Sequence, residues 1–178
     1  AYGYGYGAQQ GGYDPQNTAS YDMNASSGSY AGGDHIVYDP ALPWDQHHNV
    51  NPKSLRSVAP QMIRPHAKSV LGPDGAVWTG WYASYGTFGG GLSRIDPVTG
   101  RVSSWFDLIP GQAMEHLAAG AHFLYAVTSG SASGMDARDD CFYLLKIATD
   151  GSVTDRYQFP SGVYPRRLAV ADGRICVI

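Results

Sequence analysis

Short turns that set a proline or aspartate beside a glycine constrain this chain more than any other feature. Gly72-Pro73-Asp74-Gly75 separates Arg64-Pro65-His66-Ala67-Lys68-Ser69-Val70-Leu71 from Ala76-Val77-Trp78-Thr79-Gly80, and Asp96-Pro97-Val98-Thr99-Gly100 separates Gly91-Leu92-Ser93-Arg94-Ile95 from Arg101-Val102-Ser103-Ser104-Trp105-Phe106. Proline presets φ and glycine tolerates positive φ, so each apolar, β-prone run is turned back on the one before it. Residues 64–106 are thereby predicted to form four consecutive antiparallel strands.

The pattern then returns in the same order. Leu117-Ala118-Ala119, a turn at Gly120-Ala121-His122 and Phe123 to Val127 repeat the first hairpin. Phe142 to Ile147, Thr149-Asp150-Gly151 and Ser152 to Tyr157 repeat the second. A third copy of the first hairpin opens at Arg167-Leu168-Ala169-Val170, turns at Asp172-Gly173 and runs on to Ile178. The recurrence falls within the roughly 40–50 residues expected of a four-stranded propeller blade. The predicted fold class is all-β, a partial β-propeller of two complete blades plus half blades. Closed propellers have about four to eight blades, so further blades, or other copies of the chain, are expected to complete the ring and cover its open strand edges.

Residues 1–33 are a different material. They hold six tyrosines and eight glycines but no lysine, arginine, valine, isoleucine or leucine. Such a segment cannot offset the entropy of ordering itself with a core of its own. It is expected to be a low-complexity arm or linker, either free or docked on a neighbouring subunit or domain. Asn24-Ala25-Ser26 within it is an acceptor sequon for N-glycosylation. Blade-like sequence occupies residues 34–178. His35-Ile36-Val37-Tyr38-Asp39-Pro40 is similar to Arg94-Ile95-Asp96-Pro97, a third strand and its turn, and residues 41–63 read as a long connection.

Composition narrows the function. A net charge of −3 offers no basic surplus for phosphates, which argues against nucleic acid as a partner. No apolar run approaches the ~18 residues of a membrane span. Cys141 and Cys176 both fall in predicted strands and are expected to be buried thiols, a bridge requiring Cα atoms within about 7 Å.

Arg64-Pro65-His66, Gly72-Pro73-Asp74-Gly75, Val77-Trp78-Thr79-Gly80, Tyr85-Gly86 with Gly89-Gly90-Gly91-Leu92, and Ile95 to Gly100 together resemble the exported bacterial β-propeller repeat proteins, some attached to carbohydrate-active or cell-surface proteins. The resemblance covers about residues 34–178 and is specific for fold rather than activity. It implies an extracellular or cell-surface ring that binds a ligand. Some propellers of related build are lyases acting on polysaccharides or cyclic peptides with a metal and a histidine, but no catalytic motif of theirs is matched here.

Within such a blade the first-to-second and third-to-fourth strand turns share one end, where this chain is short and stereotyped. The other end gathers the longer connections Trp81 to Gly90, Asp107 to Gln112, Ser129 to Asp140 and Pro160 to Tyr164. Loops on a rigid scaffold carry binding residues. That end is predicted to present Trp81, Tyr82, Tyr85, Phe88 and Arg138, with Arg64, His66, Glu115, His116 and Arg166 at the starts of the inner strands; Lys68 and Arg167 accompany them. Aromatic rings take the apolar C–H surface of a sugar or peptide, and guanidinium groups take its polar groups. Trp78 and Trp81 have an alternative role in packing between blades. His66 and His116 with Asp136, Asp139 or Asp140 have the donor chemistry of a divalent metal site, although their spacing fits no compact metal motif. His47 and His48, adjacent on the chain, point apart if extended. The function expected is a non-catalytic binding or scaffold module for carbohydrate or a protein surface, needing no cofactor and able to assemble through its arm. The alternative is a fragment of a polysaccharide- or peptide-active lyase or hydrolase using a divalent metal.

Overall fold

The computed structural model describes residues 35–55, 64–83, 86–130, 135–136 and 140–178; the Tyr/Gly arm and the Asn24 sequon lie outside these. Among the described residues twelve strands follow one another: β1 (His35–Val37), β2 (Lys53–Leu55), β3 (Arg64–Leu71), β4 (Val77–Tyr82), β5 (Gly90–Ile95), β6 (Val102–Phe106), β7 (Ala113–Ala119), β8 (Leu124–Ser129), β9 (Tyr143–Ile147), β10 (Val153–Gln158), β11 (Leu168–Ala171) and β12 (Arg174–Val177). They form a hairpin β1-β2, two four-stranded meanders β3-β4-β5-β6 and β7-β8-β9-β10, and a last hairpin β11-β12, all antiparallel. The fold is all-β, as the turn pattern predicts.

The turns work as their residues require. Gly75, Gly100, Gly151 and Gly173 all adopt positive φ. The Asp96 carboxylate accepts the N–H groups of Val98 and Thr99, and Asp150 accepts that of Ser152. Asp74 does more, because its carboxylate accepts Trp78 Nε1–H at 3.1 Å, Ala76 N–H at 3.3 Å and Arg94 Nε–H at 2.6 Å, tying the β3-β4 turn to β5.

The core lies between the two meanders. Trp78 and Leu92 of the first are fully buried against Met114, Leu117, Leu124, Leu145 and Ile147 of the second. Trp78 stacks on Trp105 at 5.3 Å with planes 9° apart. The approach is close enough to demand glycine: a Cβ on Gly80 would come within 2.8 Å of the Met114 Cβ, and one on Gly90 within 2.9 Å of the Ala113 Cα. Strand β7 therefore sits against β3, β4 and β5 on one side, while β11 packs against its other flank.

The β1-β2 hairpin belongs to the opposite face of the first meander. His35 Nε2 is 2.9 Å from Ser93 Oγ, and its ring meets Trp81 edge to face. Here the expectation of one long connection across residues 41–63 needs correction. Lys53–Leu55 is a strand paired with β1, and residues 38–52 wind through a 3₁₀ turn at Gln46–His48 around Asn51. The Asn51 side chain is buried, with Nδ2 shared among the carbonyls of Asp39, Leu42 and Pro43 and Oδ1 accepting Asp39 N–H. Its backbone pairs with Asp45. A second correction concerns the cysteines. Cys141 precedes β9 and is half-buried, Cys176 is exposed on β12, and neither is in a disulfide.

Two substitutions test this packing. Gly151 has φ +88°, and a Cβ there would lie 2.0 Å from the Trp105 ring; Gly151→Ala is expected to lower unfolding free energy by about 2–3 kcal/mol in urea titrations. Burial alone pushes the Asp74 carboxyl up, but the hydrogen bonds from Arg94, Trp78 and Ala76, with the Arg94 charge, outweigh it and hold the group below 3.8. A depressed folded pKa contributes stability above the unfolded value and loses it as pH falls through the folded one. Asp74→Asn should thus cost about 1.5–3 kcal/mol at pH 7, with the deficit against the parent chain closing as pH is taken below 3.8.

Candidate functional site

The starts of β3, β7 and β11 share one irregularity. In β3, Pro65 faces Trp81 and Ala67 faces Gly80, leaving His66 as an extra residue. In β7, Met114 faces Thr128 and His116 faces Val127, leaving Glu115 extra. Ahead of β11 the N–H groups of Arg166 and Arg167 both donate to the Ile178 carbonyl, at 2.7 and 3.1 Å, while Ile178 N–H returns to Arg167. Each is a β-bulge, a device that re-aims a side chain and recurs beside functional sites. Backbone register therefore makes His66, Glu115 and Arg166 equivalent, and sets His116 beside Arg167 and Ala67 rather than with His66.

Two of these positions meet. The Glu115 carboxylate is buried; Tyr82 Oη–H donates to its Oε2 at 2.7 Å, and Arg166 Nη1–H reaches Oε1 at 3.4 Å. Tyr82 comes from the end of β4, so this contact joins both meanders and the last hairpin. The Arg166 side chain is 60% exposed, so water weakens the ion pair, and the buried tyrosine bond does more to fix the carboxylate. Next to it, His116 keeps Nδ1 buried with no hydrogen-bond partner among the described residues. Burial holds that imidazole below 6.5, helped by Arg167 and Lys68 and opposed by Glu115.

Arg166 also stands at a cleft of about 270 Å³ between the second meander and the last hairpin. Thr128 and Ser129, from the end of β8, supply hydroxyls. Phe142 and Tyr164 form an aromatic wall, ring centroids 5.0 Å apart at 44°, while Met135 and Pro165 add apolar surface and Asp136 a carboxylate. Buried Gln112 supports the floor. Thr128 Oγ1–H donates to its Oε1 at 2.6 Å and accepts Tyr143 N–H at 2.9 Å, and Gln112 Nε2–H donates to the Cys141 carbonyl at 2.8 Å. At the rim, Asp140 accepts the Ser161 hydroxyl and the Cys141 thiol, and its carbonyl accepts Gly162 N–H. The Ser161 bond is the main reason its carboxyl titrates low.

Of the residues singled out in the sequence, Tyr82, Glu115 and Arg166 come together, and Arg166 and Asp136 line the cleft. Trp81 is 2% exposed, donates its Nε1–H to Ser93 Oγ at 2.7 Å and packs against His35, so it takes no part in the cleft. Phe88 is half-buried in the β4-β5 connection, also away from it. Tyr85, Arg138 and Asp139 lie outside the described residues, and at Arg64 and His66 the backbone alone is described. His48 pairs with Asp45 at the surface of the first hairpin's loop. Phe142, Tyr164 and Thr128 went unrecognised as site residues. A signal existed in Tyr164-Pro165-Arg166, which repeats the Pro-x step of Arg64-Pro65-His66 at the start of β3.

Among the described residues no group of three or more His, Cys, Asp or Glu side chains is placed to hold a metal ion, and no helix is long and apolar enough to cross a membrane. No family model, curated protein or solved structure matches the chain.

The His116 environment yields a direct measurement. Its ring is expected to titrate below 6.5 by NMR. Because the fold disfavours the charged form, this residue lowers stability as pH falls through the unfolded value; His116→Gln should remove that part of the pH dependence.

Proposed function

We propose that the meanders and hairpins are consecutive blades of a β-propeller, and that the chain is a non-catalytic binding module for saccharide, working outside the cell. The propeller reading is supported by two sheets of identical strand order packed side by side, with β3, β7 and β11 as neighbours and the same bulge at the start of each. Placement outside the cell follows the resemblance to exported repeat proteins.

One observation carries the ligand class: the exposed Tyr164 ring, backed by the buried Phe142, stands at a cleft bounded by Asp136 and Arg166. A pyranose ring presents an apolar C–H face and an equatorial belt of hydroxyls; Tyr164 suits the first, and Asp136 and Arg166 the second. Tyr164, 49% exposed, is available for stacking. Glu115, a buried carboxylate beside the cleft, is engaged by Tyr82 and Arg166. It positions Arg166 rather than standing free to move a proton, which favours binding over hydrolysis.

A glycan microarray followed by calorimetry tests this. Tyr164→Ala is expected to weaken binding about tenfold, equivalent to ~1.4 kcal/mol, without altering the far-ultraviolet circular dichroism. Unchanged affinity in that variant overturns the assignment.

A further inference from the structure

Arg166 keeps most of its hydrogen-bonding capacity open to solvent at the cleft. Arg166 spends one guanidinium N–H on Glu115 at 3.4 Å, longer than the 2.7–2.9 Å typical of a strong charge-assisted bond. Arginine carries five such donors, and the side chain is largely exposed. Arg167 follows directly, anchored by Nη1–H to the Arg166 carbonyl at 2.7 Å and itself exposed. Beyond it on β7 lies His116, which senses both Arg167 and the exposed Lys68 of β3. Arg166, Arg167 and Lys68 are thus charged basic residues on or just before these neighbouring strands, while burial disfavours the charged form of His116 among them. Among the described residues the carboxylates nearest Arg166 are Glu115, already bonded to Tyr82, Asp136 in the cleft lining, and Asp140 at the rim, bonded to Ser161.

We propose, building on the saccharide reading, that the ligand is an acidic saccharide whose anionic substituent, carboxylate or sulfate, is held by Arg166 and Arg167 while a sugar ring lies against Tyr164. The bulge that places two arginines in succession opposite one carbonyl is what sets this pair beside an aromatic wall. Arg166 makes the contact from within the cleft; Arg167 extends the positive surface along the direction in which a chain of sugars would continue.

The test uses the full chain and four probes of matched length: an oligogalacturonate, its methyl ester, a heparin-type sulfated oligosaccharide and its desulfated form. The expected result is at least tenfold tighter binding of one acidic probe than of its neutral counterpart. That preference should shrink with added salt and collapse in Arg166→Gln and in Arg167→Gln. Arg167→Gln lies outside the Glu115 contact and keeps the test decisive if Arg166→Gln does not fold. Equal binding of acidic and neutral probes, sensitive to Tyr164→Ala, overturns the acidic assignment and leaves the saccharide reading standing. Binding of none of the four probes overturns the acidic assignment, and if the microarray is also blank the saccharide reading falls with it.

Discussion

The approach of β7 to the first meander governs the rest of the molecule. At Gly80 and Gly90 the two sheets come so near that a methyl group would collide with Met114 or with the β7 backbone. That contact seals the Trp78, Leu92 and Leu145 core, and at its outer end the Trp78-Trp105 stack closes over Gly151. Interiors packed this closely transmit any displacement. Because β3, β7 and β11 are neighbours, the bulged positions of these sheets fall beside each other, and Tyr82, Glu115 and Arg166 meet from three separate sheets.

Turn chemistry made the strands legible, because glycine and proline act locally and leave a local mark. Both meanders and the last hairpin follow from it. Strand β2 escaped notice because Lys53-Ser54-Leu55 offers a single apolar residue; it is a strand by virtue of pairing with β1 and of the Asn51 anchor before it. Trp81 was expected in a binding surface, yet it stands three positions from Trp78 on one strand, hence on the opposite face. Each face is covered, one by the second meander and the other by His35, so both rings are buried.

The site was legible only as a region. Sequence placed the variable connections at one end, and the cleft draws on two of them, but the meeting of Phe142 with Tyr164 joins segments of different strands and has no local signature. A bulge is equally silent, since one added residue leaves the apolar pattern on either side intact. Two proline-preceded positions, His66 and Arg166, were the trace it left, and Glu115 lacks even that. Fold and chemistry also sit at opposite ends of the sheets: the aspartate-glycine turns fix geometry at one end, and the connections that bear the cleft lie at the other.

Asn51 has a chemical neighbour that suits its position. An asparagine that holds a loop by its carboxamide is exposed to slow loss of that group when the following backbone nitrogen attacks it, and conversion to aspartate would turn two donors into a repelling charge among three carbonyls. The residue that follows is Pro52, whose ring nitrogen bears no hydrogen and cannot make that attack. The loop's anchor is thereby shielded from spontaneous ageing by the identity of the next residue alone.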